Sequence, residues 1–189
     1  MGDKNTNSKI KQKKLAKLRH RVAGAVIMVM HDSIRASQPG SAGNLARQLL
    51  QKYQVDTPDL VLVDEDAAKV QGAIKAAIAG GARVILTCGG TGVTKSDITP
   101  QATEPLLAAH LDAIRWQIAQ QGLSMTPLAS LSRGLVGVTS QDSDGVLIVN
   151  SAGSRGGVKD TITVVGPLIP HVLEQLDPDT FKLVTEESN

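Results

Sequence analysis

The sequence predicts an α/β fold of three layers, α/β/α, with a mainly parallel sheet in the middle. Two observations predict it. Short apolar runs rich in β-branched residues recur along the chain, and stretches with apolar residues at helical spacing separate them. Parallel strands need crossover connections, and these run right-handed, so helices come to lie on the faces of the sheet. A third observation points to the site. Glycine, aspartate and short polar residues gather just after the predicted strands, and in such sheets ligands bind outside the strands' carboxyl ends.

Each element has its own signal. Residues 22–30 are a continuous apolar run, the pattern of a strand buried on both faces. Leu45, Leu49 and Tyr53 then repeat every four residues, which predicts a helix. Residues 60–63 form a second short strand. Val70, Ile74, Ala77 and Ile78 make a stripe on one helical face, and Gly80-Gly81 ends that helix. Residues 83–87 are the third strand. Thr99-Pro100 reads as a helix start, with Thr99 as the cap and Pro100 at the first helical position. Leu111, Ile114 and Ile118 carry a further helix, stopped at Gly122. Residues 134–139 and 146–149 are two more strands, joined by a turn at 141–145. Val158, Ile162 and Val165 mark a helix after Ser154, which Pro167 interrupts. Ile169, Val172, Leu173 and Leu176 mark the last helix, and Pro178 ends the ordered part. Residues 186–189 are expected to fray, and residues 1–10 to be disordered or weakly ordered.

The expected organisation is a flexible basic arm at 1–21, one α/β domain at 22–177 and a tail at 178–189. The chain has 189 residues, of which 41% are hydrophobic and 20% charged, so one packed core is feasible. The arm holds eight Lys and Arg residues against Asp3, a net charge of +7, and the rest of the chain is −5. A basic arm attracts nucleic acid or an anionic surface, or simply aids solubility. The solubility reading is the plainer one. Leu15 and Leu18 suit a turn or two of helix in its second half.

Composition excludes several classes. Tyr53, Trp116 and Phe181 are the three aromatic residues, too few for a base-stacking platform, so nucleic acid is not the expected partner. Cys88 is the single cysteine, which rules out an internal disulfide and a multi-cysteine zinc site. No apolar run approaches the ~18 residues of a membrane span, and the N-terminus lacks a signal-type apolar stretch, so a cytoplasmic protein is expected.

The predicted loops carry the chemistry. After the third strand the chain reads Cys88-Gly89-Gly90-Thr91-Gly92-Val93-Thr94-Lys95-Ser96-Asp97. It is neither a Walker A loop nor G-x-G-x-x-G. Its three glycines still let backbone N–H groups face an anion, Lys95 adds charge, and Asp97 is an oxygen ligand of the kind Mg²⁺ takes beside phosphate. After the last strand, Gly153 permits close approach and Ser154 stands where a helix begins, either capping it or leaving N–H groups for an anion. Arg155 and Lys159 are phosphate partners or surface charges. Asp66 is the expected cap of the second helix. Cys88 reads as a buried small hydrophobe rather than a nucleophile. His31 lacks a second ligand at metal spacing, and Trp116 lies off its helix's apolar stripe, covering a subunit interface or half-exposed.

Four segments together resemble the MogA/MoaB molybdopterin-binding family. Residues 87–99 are similar to its TTGGTG…D-x-T signature, and 100–103 to the P-x-A-T that follows. Leu131-Ser132-Arg133 with Val136-Gly137-Val138 resembles its L-S-R…G-V segment, and 147–154 its L-I-x-N-L-P-G-S. The resemblance implies a mixed sheet, often a trimer, and work in molybdenum cofactor biosynthesis beside other proteins of that pathway. It implies Mg-ATP-dependent adenylylation of molybdopterin, as in Mog-type enzymes and the matching domain of gephyrin-like proteins. By position it makes Asp64 and Asp97 the catalytic, Mg²⁺-holding carboxylates, with Glu65 in place of Asp64 if the register moves by one. It makes Gly89, Gly90, Thr91, Gly92, Lys95, Ser132, Arg133, Asn150, Gly153 and Ser154 the ligand-binding set. The sequence departs from the family at His31-Asp32, at Gln38-Pro39-Gly40-Ser41-Ala42-Gly43, at Ser151-Ala152 and at Cys88. These departures keep a second class open, a non-catalytic molybdopterin carrier or scaffold. A hydrolytic relative of the competence-damage-inducible type is a third, weaker reading.

Overall fold

The computed structural model describes residues 17–30 and 40–184. The expectations for residues 1–10, for the loop at His31 and Asp32 and for the frayed end lie outside them. The elements run as β1 (Lys17–Leu18), β2 (Val22–Val29), α1 (Ser41–Gln51), β3 (Val55–Asp56), β4 (Leu60–Val63), α2 (Ala67–Ala79) and β5 (Val84–Cys88). Then come α3 (Thr99–Thr103), β6 (Ala109–His110), α4 (Asp112–Leu123), β7 (Val136–Val138), β8 (Leu147–Ser151), α5 (Arg155–Val165), α6 (Ile169–Leu176) and β9 (Leu183–Val184). Three 3₁₀ turns, Glu104–Leu106, Pro127–Leu131 and Gly166–Leu168, complete the described chain.

The sheet is mixed. β2 pairs in parallel with β3 and β4 on one side and with β5 on the other, and β5 pairs in parallel with β8. β7 runs antiparallel to β8, and β6 antiparallel to β7. The register moves from Val22↔Val55 to Val26↔Leu60, so β3 and β4 are one edge strand with an extra residue near Pro58. Arg47 of α1 donates to the carbonyls of Thr57 and Pro58, which the bulge leaves outside the ladder.

Strand alternation divides the core into two layers. Val26, Met28, Leu86, Leu147 and Val149 face α1, α5 and α6, where Ala46, Leu50, Val158, Ile162, Ile169 and Leu173 are buried. Ile27, Val29, Ile85 and Ile148 face α2 and α3, where Val70, Ile74 and Ala102 are buried. This is the three-layer α/β/α arrangement that the apolar runs predict. From β2 the chain goes through α1 to one side, then returns through α2 to β5 on the other. A crevice opens at the carboxyl ends of β2 and β5, where the strand order reverses.

Several expectations change. Leu18 is not helical; it lies in β1, buried, and β1 pairs antiparallel with β9. A two-residue segment with a sheet partner available gains more from pairing than from an isolated helical turn. Packed structure therefore extends beyond 22–177 at both ends, with Phe181 also buried. Thr99 does not cap α3: Ile98 holds that position without a side-chain bond, and the Thr99 hydroxyl donates to the Gly89 carbonyl at 2.8 Å. Leu111 precedes α4 rather than lying in it, and α4 runs through Gly122 to Leu123. Asp66 and Ser154 do cap their helices, accepting from Lys69 N and Gly157 N.

Candidate functional site

The strand-end loops wall a cleft of about 1250 Å³. Its floor is the end of β2 with the Gly89, Gly90, Thr91 and Gly92 backbone. α4 and the following 3₁₀ turn form one wall, and Gly153, Ser154 and the first turns of α5 form another.

Close backbone contact explains the glycines. Gly89 and Gly90 have φ of 105° and 63°, the left-handed region. A Cβ at Gly89 would sit 2.2 Å from the Val29 carbonyl oxygen, and one at Gly153 would sit 3.1 Å from the Gly89 Cα. The end of β2 and the loops after β5 and β8 thus meet backbone to backbone, with no side chain between. Gly89 N donates to Ser151 O at 3.0 Å, and Thr99 N donates to Gly90 O at 2.9 Å.

Asp97 is at the cleft and is held from one side. Its Oδ2 accepts from the Thr94 hydroxyl at 2.6 Å and from Thr94 N at 2.9 Å. The Thr94 hydroxyl is the main cause that holds its carboxyl below the ordinary carboxylate range; the Thr94 and Gly92 N–H groups and the Arg133 charge add to it, against some desolvation. Asp97 therefore stays ionised at neutral pH.

The other predicted residues divide into two groups. Ser132, Gly153 and Ser154 line the cleft with the four loop residues. Asn150 reaches it too, but its side-chain bonds go inward: Nδ2 donates to Thr87 and Thr103 hydroxyls at 2.9 and 3.0 Å, and Oδ1 accepts from Leu135 N at 3.1 Å. It is a strut joining β5, α3 and the approach to β7. Lys95 is exposed and is not in the cleft wall, and neither is Arg133. Asp64 pairs with Lys69 at 2.5 Å, and its neighbour Glu65 is the carboxylate of that segment in the cleft wall. Among the described residues, no three His, Cys, Asp or Glu side chains gather as a ready metal cage. Mg²⁺ does not need one, because it keeps waters and shares phosphate oxygens with one or two carboxylates. Of the carboxylates named, Asp97 and Glu65 line the cleft and could serve in that way.

Some residues escaped the sequence reading. Thr94 did, although a Thr three positions before an Asp is a recognisable local bonding pattern. Arg115, Gln121, Asp160 and Thr163 also line the cleft, beside Lys159, which the sequence offers as a phosphate partner or surface charge. Their signal is tertiary, because neither α4 nor α5 marks its cleft side by sequence. The cleft's outer end is apolar, with Trp116, Met125, Leu128 and Leu131 all exposed. Cys88 is buried, as expected.

Comparison with known proteins gives one consistent answer. A family described as a probable molybdopterin binding domain matches residues 25–171. A molybdenum cofactor biosynthesis bifunctional protein from Synechococcus elongatus is 30% identical, over 84% of this chain and 50% of its own length. Among solved structures, a molybdopterin biosynthesis protein from Mycobacterium abscessus superposes with a TM-score of 0.74 at 33% identity, over 83% of this chain and 97% of its own. The molybdopterin biosynthesis enzyme MoaB from Thermus thermophilus gives a TM-score of 0.75 at 28% identity, over 85% and 99%. The chain spans between 12% and 50% of the length of the first curated relatives it matches. Among the described residues, no helix is long and apolar enough to cross a membrane.

Proposed function

We infer the function from one premise: the chain belongs to the family of probable molybdopterin binding domains and works in molybdenum cofactor biosynthesis. Within that pathway our reading is Mg-ATP-dependent adenylylation of molybdopterin. The terminal phosphate oxygen of molybdopterin attacks the α-phosphorus of ATP. The bond from that phosphorus to the bridging oxygen breaks, and pyrophosphate leaves.

One observation carries this reading: a glycine loop and an ionised Asp97, bonded through Oδ2 to Thr94, share a cleft of about 1250 Å³. The loop N–H groups suit phosphate oxygens. An ionised carboxylate beside bound phosphate needs a cation between them, which assigns Asp97 to Mg²⁺, with Asp64 or Glu65 as second carboxylate. Mg²⁺ there neutralises charge that builds on the transferring phosphate oxygens. The chain's own part is to orient the two phosphates and to hold the carboxylates in place. The apolar end near Trp116 suits the ring systems of the two ligands.

The second reading is a molybdopterin carrier or scaffold without turnover, favoured by the departures in the first loop at His31-Asp32 and in the last at Ser151-Ala152. Either reading is expected to operate in a homotrimer. Mixing the protein with molybdopterin and Mg-ATP decides between them. Adenylyl-molybdopterin and pyrophosphate in equal amounts support the enzyme; tight molybdopterin binding with neither product supports the carrier.

A further inference from the structure

We propose that Arg133 is a positioning residue that clamps the glycine loop from behind, and not a contact for the ligand's phosphate. The proposal rests on the reading above, in which that loop receives phosphate. Three bonds carry it. Arg133 N donates to Thr91 O at 2.8 Å, its Nε donates to Gly92 O at 2.6 Å, and its Nη2 donates to Asp97 O at 2.6 Å. One residue thus ties down both ends of the segment from Thr91 to Asp97.

Its placement matches that role. Arg133 is outside the cleft wall. It lines a second, shallower depression of about 420 Å³ with Pro100, Gln101, Glu104, Pro105 and Leu135. Its root is fixed as well: a Cβ on the next residue, Gly134, would sit 2.5 Å from the Asn150 carbonyl oxygen, so the backbone there lies hard against β8.

The consequence follows from peptide geometry. In a trans peptide the C=O and the next N–H point in opposite directions. Carbonyls of Thr91, Gly92 and Asp97 that face Arg133 turn the N–H groups of Gly92, Val93 and Ile98 away from it. The clamp therefore sets which way the loop donors point, and it holds the main chain of Asp97 while Thr94 holds its carboxylate. A guanidinium fork spans two carbonyls five residues apart in one plane. A lysine ammonium is a compact point charge that binds phosphate well but lacks the rigid fork.

Arg133→Lys and Arg133→Met test this in two measurements. The first uses ligand-free protein and reads amide chemical shifts and hydrogen exchange across the loop. Both variants are expected to move the Gly92, Val93 and Ile98 signals and to speed the exchange of the bonded loop amides, Thr94 and Thr99, by about tenfold or more, with the strand amides unchanged. The second is steady-state adenylylation. Both variants are expected to lose about tenfold or more in kcat while KM for ATP stays within about threefold, because misorientation costs rate rather than ground-state binding. A phosphate contact behaves differently: KM rises, lysine restores most of the activity, and the ligand-free loop amides match the parent. That pattern overturns the proposal. If Arg133→Met does not fold, Arg133→Lys alone decides. A parent without turnover would defeat the functional reading, and the ligand-free amides would still decide the clamp.

Discussion

At Asp97 the decisive contacts come from three residues back. Thr94 puts its hydroxyl and its N–H on the same carboxylate oxygen, which lowers the acid's pKa. Because the folded pKa lies below the unfolded one, this stabilisation is fully present above the ordinary carboxylate value of about 4 and is lost as pH falls through the lowered one. Thr94→Val should therefore be less stable than the parent near neutral pH, and the gap should shrink as the pH is lowered through the acid range; urea unfolding at several pH values checks it. Asp97→Asn keeps the size and removes the charge. It should leave molybdopterin binding nearly intact and cut adenylylation by about a hundredfold or more, the scale on which loss of a charge-stabilising group acts. Equal turnover in the variant and the parent rules out the role proposed for Asp97. Cys88 gives the opposite case: burial pushes its thiol up from 9.0 to about 12. A thiol reagent near neutral pH should label it only as fast as the protein opens, and labelling at the rate of a free thiol would contradict the burial.

The elements show what a sequence reveals and what it leaves to tertiary structure. Long apolar runs and four-residue stripes located β2, β5, β8, α1, α2, α5 and α6, because each buries a continuous face. The two-residue strands β3 and β6 left no pattern, being too short to show a period. The direction of β7 was legible in principle, since the link from Val138 to Leu147 is too short for a crossover and only an antiparallel return fits. The site divides in the same way. The glycine loop and Asp97 stood out by composition. That Asn150 turns its amide inward, and that Arg133 holds carbonyls, depended on partners 15 to 63 positions away. Gly89→Ala tests the element-level claim that backbone contact closes the cleft floor. The added Cβ meets a backbone carbonyl at a positive φ, so neither can yield cheaply. The variant should lose about 3 kcal/mol or more of stability by urea titration, and a loss below about 1 kcal/mol would contradict the close approach.

On the scale of the whole molecule, the proposed homotrimer predicts a light-scattering mass three times that of the chain at micromolar concentration, and a monomer would refute it. The chain ends make a separate claim about what holds the fold together. Leu18 and Phe181 are both buried in the layer with α6. Arg83 joins them, with its guanidinium 4.9 Å from the Phe181 ring, 3.9 Å from Asp177 and bonded through Nε to Gly145 O at 3.1 Å. The basic segment from residue 1 to 21 is therefore two things: a charged stretch, and a short β1 that closes the core. Deleting residues 1–16 should leave the melting temperature and molybdopterin binding unchanged. Deleting 1–21 also removes Leu18 and its pairing with Leu183, a loss of about 2–4 kcal/mol for a buried leucine. In a chain of this size that corresponds to a fall in Tm of roughly 5–15 °C. Binding should still survive well below the melting point. β1 precedes the amino end of β2, the cleft lies at its carboxyl end, and eight strand residues hold the two about 23 Å apart. Loss of molybdopterin binding on deleting 1–16 at physiological salt would place the arm in the site. Loss only at low salt would instead mark long-range attraction by its net charge of +7, which ions screen.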